Sequence, residues 1–424
     1  MPELAICGHL VDGYGVYGSG CINIEGDRIA SVTSEPRAPE RLDYRDMGGI
    51  VLPGMIDLHV HLRGLKLSYK EDEATSTRAA AASGITLVAD MPNTMPPLRS
   101  KSAIDAKLAA LRRMSLVDYA VYAGVPDEPE EARGLAELPI AGFKVYPEDL
   151  EERRGTLRRI ARLHKLLILH AEHPVALKSI VEAEDTRAAM RGCWAELAGL
   201  MEVLDLGPAR LHVTHASCPS TVLAAKKVGA TVDATPHHLF YSLRGSDCGW
   251  RVNPPLRSKA ERLSMLKLLA EGMVDALASD HAPHLLRERI DPLSCSPGFA
   301  WLDSWPLLAA CLVASGTLSL QDYARLTSLN PARILGIDSV YGSLQPGMRA
   351  NIVVIKLERW HRPARIYSKG ENPIENIIEV CAALKAVIVG GTLVYLDGEF
   401  TGEKPETVNA IEYASTYLAS SSPP

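Results

Sequence analysis

The segment VLPGMIDLHVHLR (residues 51–63) decides the fold, because it begins a long region in which short apolar runs alternate with stretches of helical composition. From residue 51 to residue 337 this alternation predicts parallel strands connected by helical crossovers. The amphipathic stretches 101–114 and 260–272 are two of the predicted helices. The predicted strands are residues 55–61, 85–90, 119–124, 140–146, 166–171, 210–215, 230–235 and 274–280. This number of strands favours a closed (β/α)8 barrel of the TIM type over an open doubly wound sheet.

Both chain ends contain short β-like runs that are interrupted by glycine turns. LAICGHLVDGYG begins at residue 4, and LKAVIVGGTLVYLDGEF begins at residue 384. We expect the two ends to pair into one small accessory β-sandwich domain. The predicted organisation is an accessory domain from 1–50 plus 340–400, a barrel at 51–339 and a C-terminal extension at 401–424.

The composition excludes several classes of partner. The 424 residues carry a formal net charge of −6, and an acidic surface does not attract nucleic acid or an anionic membrane. An anionic small-molecule substrate therefore requires a local cationic pocket. No stretch approaches the roughly 18 uninterrupted apolar residues of a membrane span, and the chain does not open on a signal peptide, so we expect a cytoplasmic protein.

The eight cysteines are scattered and form no CxxC pair. This pattern favours reduced, mostly buried small side chains over a disulfide or zinc framework. No histidine-paired signature that is typical of a cysteine nucleophile accompanies any of them. The residues are Cys7, Cys21, Cys193, Cys218, Cys248, Cys295, Cys311 and Cys381.

Histidines concentrate in the predicted barrel and lie at or just beyond the ends of its strands. In DLHVHLR, the side chains of His59, His61 and Arg63 alternate along one strand and therefore point to the same side. Two imidazoles on one strand face can bind one cation. A pair of hydrogen-bonded core histidines is the alternative, and Asp57 is either an orienting group behind them or a strand-end cap.

Lys144 lies within the apolar strand GFKVYP, where an ammonium group is costly unless it is paired, modified or neutral. A neutral lysine amine can take up carbon dioxide to give a carbamate whose two oxygens bridge two cations. A lysine that reaches the rim or pairs with an acid is the alternative, and the residue pattern alone favours it.

Three further side chains close predicted strands. His170 in LILHAEH and His215 in LHVTHAS supply a second pair of imidazoles, which suits a second cation. Asp280 in ALASDHAPH ends the eighth strand, where a carboxylate can contact a metal and exchange a proton with bound water. A helix-capping aspartate is the alternative. His173 and His212 are interpreted as structural neighbours.

Taken in order, these residues resemble the amidohydrolase superfamily and, within it, the dihydroorotases. Four more stretches carry the resemblance, namely MPNTMPP (91–97), VNPPLR (252–257), SDHAPH (279–284) and PGF (297–299). The resemblance implies that Arg63, Asn93, Asn253 and His284 bind the carboxylate and ring of the substrate. A rim salt bridge for Arg63 and turn-forming roles for the two asparagines are the alternatives.

The resemblance also implies a cofactor and a mechanism. It implies two zinc ions per subunit, bridged by N6-carboxylated Lys144, with Asp280 as the catalytic acid and base. The metal ligands would be His59, His61, Lys144, His170, His215 and Asp280.

The implied activity is the reversible cyclisation of N-carbamoyl-L-aspartate to (S)-dihydroorotate in de novo pyrimidine (UMP) biosynthesis, by a binuclear metal-hydroxide mechanism. A dihydropyrimidinase (hydantoinase), an allantoinase and a non-catalytic structural homologue are the alternatives. The sequence leaves open whether the chain forms a homodimer and whether it associates with aspartate carbamoyltransferase.

The chain departs from the family pattern at one loop. Gly64 in LRGLK stands where many relatives have an acid, so we expect an altered entrance loop. Asp233 stands where some relatives have a glutamate that assists an additional metal. His237 and His238 receive no role from the sequence.

Overall fold

The computed structural model describes residues 1–178, 184–244, 248–291, 294–361, 366–371 and 379–421. Strands from both chain ends form one sheet, and strands from the middle of the chain form another. The strands are β1 (Leu4–Asp12), β2 (Gly15–Glu25), β3 (Arg28–Thr33), β4 (Glu40–Asp43), β5 (Ile50–Pro53), β6 (Met55–Val60), β7 (Ile85–Asp90), β8 (Asp118–Gly124), β9 (Gly142–Val145), β10 (Leu167–Leu169), β11 (Leu211–Val213), β12 (Thr231–Ala234), β13 (Ala276–Leu277), β14 (Ile352–His361), β15 (Val380–Val389), β16 (Thr392–Leu396) and β17 (Glu399–Phe400).

Helices follow most strands of the middle region. In the described part of the chain, none is both long and apolar enough to cross a membrane. The α-helices are α1 (Glu73–Ala81), α2 (Lys101–Met114), α3 (Glu131–Ala136), α4 (Pro147–Glu152), α5 (Arg154–Ile160), α6 (Glu184–Met190), α7 (Cys193–Leu204), α8 (Pro219–Lys227), α9 (Pro236–Phe240), α10 (Lys259–Ala270), α11 (Trp305–Ala314), α12 (Leu320–Ala324), α13 (Asn330–Leu335) and α14 (Ala410–Ser421).

The central sheet is the predicted parallel barrel. Its strands follow one another in chain order from β6 to β13, and each pair of neighbours is parallel. A parallel bridge between Val60 and His281 joins the first strand to the segment after the last. Asp57 strengthens this closure, because its Oδ1 accepts from the backbone N–H groups of His59 and Ser279, each at 3.1 Å. Every predicted strand has a counterpart, and the carboxyl ends therefore meet at one mouth.

The strand sequences are apolar because the barrel is covered on both faces. Every residue of β6, β7, β8 and β9 is buried, as expected for a parallel sheet between its own interior and an outer layer of helices. The helix α2 has the bounds predicted from its periodicity, and the Ser100 side chain caps its first turn. Strand positions thus follow from hydrophobic pattern alone.

The second sheet joins the two chain ends, as predicted. Its strands run in the order β17-β16-β15-β14-β5-β1-β2-β3, with β4 paired to β1. Arg349 fastens this sheet to the barrel, because its guanidinium pairs with the buried carboxylate of Asp118 on β8 at 2.6 Å. The accessory sheet therefore packs beside the barrel, and the carboxyl ends of the barrel strands form the mouth.

The expectation of reduced cysteines is wrong for the described residues. Disulfides join Cys7 to Cys21, Cys193 to Cys218 and Cys311 to Cys381, and Cys295 is also disulfide-bonded. The side chain of Cys248 lies outside the described residues. The partners are 14, 25 and 70 residues apart, and it is the fold that brings them together. Cys7 and Cys21, for example, are opposite each other in the β1–β2 register.

Candidate active site

All of the side chains predicted to bind metal or substrate lie on the wall of one cavity at the barrel mouth. The cavity encloses about 480 Å³, which is enough for a small polar ligand. The predicted residues that line it are His59, His61, Arg63, Asn93, Lys144, His170, His215, Asn253, Asp280 and His284.

Four imidazoles form a row across this cavity. The ring centroids are 5.1 Å apart for His61 and His59, 4.9 Å for His59 and His215, and 4.5 Å for His215 and His170. Oδ1 of Asp280 lies 3.3 Å from Nε2 of both His59 and His61. The ligand atoms of His59, His61 and Asp280 all lie within 4.8 Å of one another, a spacing suited to a metal ion.

Hydrogen bonds behind the row orient two of these rings. Nδ1–H of His61 donates to Oδ1 of Asn93 at 2.6 Å. Nδ1–H of His59 donates to the hydroxyl of Thr214 at 2.6 Å, and that hydroxyl donates to Asp233 at 2.9 Å. Both Nε2 atoms therefore carry lone pairs toward Asp280. Such outer partners fix the tautomer of metal-binding histidines in proteins.

Asp233 is the centre of this support. Besides Thr214, its carboxylate accepts from Nε2–H of His212 at 2.8 Å and from the backbone N–H of His215 at 2.5 Å. His215 has a φ of 41°, a conformation that a non-glycine residue adopts only when its surroundings impose it. The sequence identified Asp233 and His212 without this role, because their partners lie on neighbouring strands.

His170 has a support that sequence reasoning missed. Its Nε2 donates to Glu172 at 2.7 Å, and Glu172 in turn accepts from Nε of Arg191 at 2.7 Å. Burial alone would raise the pKa of Glu172, but Arg191 and His170 outweigh it and hold that pKa below its usual range. The available signal was the i, i+2 spacing of His170 and Glu172 in LILHAEH, which places both on one strand side.

Lys144 is fully buried, and its Nζ has no hydrogen-bond partner among the described residues. Its side chain does not reach the solvent-exposed rim, and it forms no ion pair within the described part of the chain. Burial lowers its pKa to about 7, an effect that the charge of Asp280 opposes. Burial also raises the pKa of Asp280 to about 7. An amine with a pKa near 7 is about half neutral at pH 7, and its neutral form is a nucleophile.

The residues predicted to bind substrate line the cavity beside this row. Arg63 is buried, donates from Nη2 to Nε2 of His284 at 3.2 Å, and has an Nε atom without a hydrogen-bond partner among the described residues. No described acid forms a salt bridge with it, so a rim ion pair does not account for this arginine. Asn253 accepts a hydrogen bond from Arg187, an arginine of α6 that sequence reasoning did not identify.

The entrance loop differs from the usual pattern for a steric reason. Gly64 has a φ of 65°, and a Cβ atom there would lie 2.0 Å from Oε1 of Glu73. That carboxylate pairs with the buried Lys107 at 2.7 Å, and Nζ of Lys107 donates to the backbone carbonyl of Arg63 at 3.1 Å. Glu73 thus occupies the space of a residue-64 side chain and supports the backbone that presents Arg63.

Three further histidines support loops. His238 donates from Nε2 to the carbonyl of Pro254 at 3.0 Å, next to Asn253. His237 accepts at Nδ1 from the indole N–H of Trp301 at 3.1 Å. His173 caps a 3-10 turn by accepting from the N–H of Val175. None of these three lines the cavity.

The donor set fits divalent cations. Burial keeps the pKa of His59, His61 and His215 well below the usual value, so these imidazoles are neutral and have lone pairs to donate. The buried, unpartnered Nζ of Lys144 and the nearby Asp280 carboxylate complete the cluster. Nitrogen and oxygen donors in this combination suit zinc.

Comparison with known proteins gives one family model and several relatives that share one name. The Amidohydrolase family model matches residues 50–394. A dihydroorotase from Aeropyrum pernix is 44% identical over 367 residues, covering 82% of this chain and 84% of the relative. A dihydroorotase from Saccharolobus solfataricus is 39% identical, covering 83% and 86%, and one from Sulfurisphaera tokodaii is 37% identical, covering 94% and 95%.

Solved structures show the same fold at lower identity. An L-hydantoinase (dihydropyrimidinase) from Arthrobacter aurescens has a TM-score of 0.83 and 24% identity, covering 96% of this chain and 99% of that one. A dihydropyrimidinase from Brevibacillus agri NCHU1002 has a TM-score of 0.83 and 23% identity, covering 96% and 98%. These likenesses bear on the fold alone.

The packing of Glu73 against Gly64 predicts that a side chain at position 64 lowers the stability of the fold. We expect Gly64→Ala to lower the free energy of unfolding by about 1–3 kcal/mol more than Gly48→Ala, because only the first substitution crowds a buried neighbour. Gly48 has a similar φ of 70° and nothing within 4 Å of its Cβ position, so it controls for backbone strain. Urea denaturation of both variants makes the comparison, and equal losses would contradict it.

Proposed function

This chain belongs to the amidohydrolase family and, among its members, to the dihydroorotases; we propose that it interconverts (S)-dihydroorotate and N-carbamoyl-L-aspartate at the cavity of the barrel mouth. Ring opening consumes one water molecule and breaks the ring C–N amide bond, and ring closure releases that water. The closing direction supplies dihydroorotate for de novo pyrimidine synthesis.

The observation that carries the proposal is the buried Arg63 beside the imidazole row. A guanidinium without a carboxylate partner is costly to bury, so its position favours a ligand that brings the negative charge. Both dihydroorotate and N-carbamoyl-aspartate carry a carboxylate whose geometry matches the planar guanidinium fork. Arg63 and the neighbouring His284 would hold that group, with Asn253 on the same wall.

We propose that two divalent cations, zinc by donor chemistry, are held by the imidazole row, Asp280 and a modified Lys144. His59 and His61 would serve one cation, His170 and His215 the other, with Asp280 at the first pair. Bound cations of this kind polarise an amide carbonyl and lower the pKa of water to near 7. The neutral state of the buried imidazoles supports this assignment.

We propose that Lys144 is N6-carboxylated, and the carbamate oxygens would then help to hold the cations. Its Nζ is buried and has no hydrogen-bond partner in the described part of the chain. Burial brings its pKa to about 7, so at pH 8 most of the group is a neutral amine able to attack carbon dioxide. The buried Lys107 provides the contrast. Asp90 and Glu73 outweigh its burial and raise its pKa, so it stays charged and is not a candidate.

Asp280 is proposed to move the proton. Its carboxylate lies between the two Nε2 atoms of the HxH pair at the cavity wall, and burial raises its pKa to about 7. In hydrolysis it would accept a proton from the attacking water and deliver it to the departing ring nitrogen. A carboxyl group with a pKa near the working pH can do both.

A dihydropyrimidinase or an allantoinase would share the fold and metal-binding residues. Their neutral rings would leave the Arg63 charge uncompensated in the cavity, which disfavours them. A non-catalytic homologue is disfavoured because every side chain of the proposed metal and proton-transfer set is retained and lines one cavity.

The substrate is tested with a panel of rings. We expect hydrolysis of dihydroorotate with a kcat/KM at least about 100-fold above that for dihydrouracil or allantoin, because only the first supplies the carboxylate for Arg63. Chelation should abolish turnover, and added zinc should restore it. Preference for either neutral ring, or full activity after complete metal removal, would refute the proposal.

Carboxylation is tested by labelling. After incubation with 13C-bicarbonate at pH 8, we expect one carbamate carbon signal that is absent from Lys144→Gln. Zinc loading of metal-free protein in bicarbonate should fall as the pH drops through about 7. Below its pKa of about 7 the Lys144 amine is mostly protonated, and only the neutral amine reacts with carbon dioxide. A signal that survives Lys144→Gln would place the carbamate elsewhere.

The role of Asp280 is tested by Asp280→Asn. The amide keeps the shape of the side chain but cannot accept the proton, so we expect metal content to be retained and kcat to fall about 100- to 10,000-fold. Asp105→Asn, at a half-exposed position of α2, is the control and should keep full activity. Normal turnover by the first variant would remove Asp280 from proton transfer.

A further inference from the structure

Tyr146 has a polar atom that the assignments above leave unused. It follows Lys144 by two residues at the end of β9, and its ring lies beside that lysine, with Nζ 5.3 Å from the ring centroid. The side chain lines the same cavity as the proposed substrate residues. Its hydroxyl is buried and has no hydrogen-bond partner among the described residues.

A buried hydroxyl without a partner is unfavourable, because it gives up its bonds to water and gains none in return. Other buried tyrosines of this chain avoid that cost. The hydroxyl of Tyr122 donates to the carbonyl of Leu58 at 3.1 Å, and that of Tyr323 donates to the carbonyl of Pro306 at 2.8 Å. Tyr146 is the exception, and it is the one of these three that borders the cavity.

The chemistry around Tyr146 points to an anionic partner. A tyrosine hydroxyl, whose ordinary pKa is about 10, has a proton to donate near neutral pH. Nε of Arg63 is a second buried donor without a hydrogen-bond partner among the described residues, and it belongs to the same cavity. Two unsatisfied donors near each other match an oxygen-rich group with negative charge.

We propose that the Tyr146 hydroxyl donates a hydrogen bond to a carboxylate oxygen of the substrate, beside Arg63, and so helps to select an anionic ring over a neutral one. This inference rests on the proposed dihydroorotase activity and adds a specificity-determining residue to it. No covalent step is involved, because the hydroxyl keeps its proton throughout.

The test is Tyr146→Phe, which removes only the hydroxyl. The lost hydrogen bond to a charged oxygen should raise KM for dihydroorotate about 10- to 100-fold, with kcat within about threefold and metal content unchanged. The ratio of kcat/KM for dihydroorotate to that for dihydrouracil should fall by a similar factor. Thermal stability of the free protein should not fall, because the deleted hydroxyl had no partner.

Tyr323→Phe is the matched control. It removes a buried hydroxyl that has a partner and does not border the cavity, so thermal stability should fall while KM stays unchanged. This opposite pattern separates a role in ligand binding from a role in folding.

Three results would overturn the inference. Unchanged KM in Tyr146→Phe would show that the hydroxyl does not touch the substrate. An equal loss with dihydroorotate and dihydrouracil would show that it does not recognise the carboxylate. Loss of zinc would show that it serves the metal centre or the modified lysine instead.

Absence of dihydroorotate turnover by the unmodified chain would refute the proposed function itself. Failure of the inference and failure of the proposed function are therefore distinguishable.

Discussion

Burial of the side chains around the barrel mouth is the constraint on which the site depends. Once buried, an imidazole resists protonation, an ammonium loses its proton more readily and a carboxylate holds one more firmly. The directions of the pKa shifts at His59, Lys144 and Asp280 all follow from this single cause. The protein thereby offers the lone pairs of neutral imidazoles to a metal ion and presents a reactive amine at Lys144.

The polar atoms of the mouth divide into two groups. Several that face the body of the protein have partners, as in the hydrogen-bond chain from His59 through Thr214 to Asp233. Several that border the cavity have none among the described residues, including Nζ of Lys144 and Nε of Arg63. The first group fixes the position of the second. An unsatisfied donor is tolerable in a folded protein when a ligand satisfies it during function.

Two buried lysines show how local partners reverse the effect of burial. Lys107 and Lys144 are both inaccessible to solvent. Lys107 contacts the carboxylates of Glu73 and Asp90 at 2.7 and 2.9 Å, and its pKa is raised. Lys144 has no such pair among the described residues, and burial lowers its pKa. The first lysine therefore serves as a fixed charge that supports the Arg63 loop, whereas the second is available for chemistry.

The sequence by itself determined the barrel, the pairing of the chain ends and the set of side chains at the mouth. Hydrophobic periodicity locates strands, and the carboxyl ends of parallel strands must meet, so His59 and Asp280 could be placed together from opposite ends of the barrel. Only the tertiary structure decided the cysteine pairing, the support of His59 by Thr214 and the lack of a partner for the Tyr146 hydroxyl among the residues that the structure describes. These features depend on contacts between side chains of neighbouring strands and on how deeply each side chain is buried. The residue pattern does not show such contacts, because residues that touch across neighbouring strands come from separate segments of the chain. The helices between these segments set their spacing in the sequence.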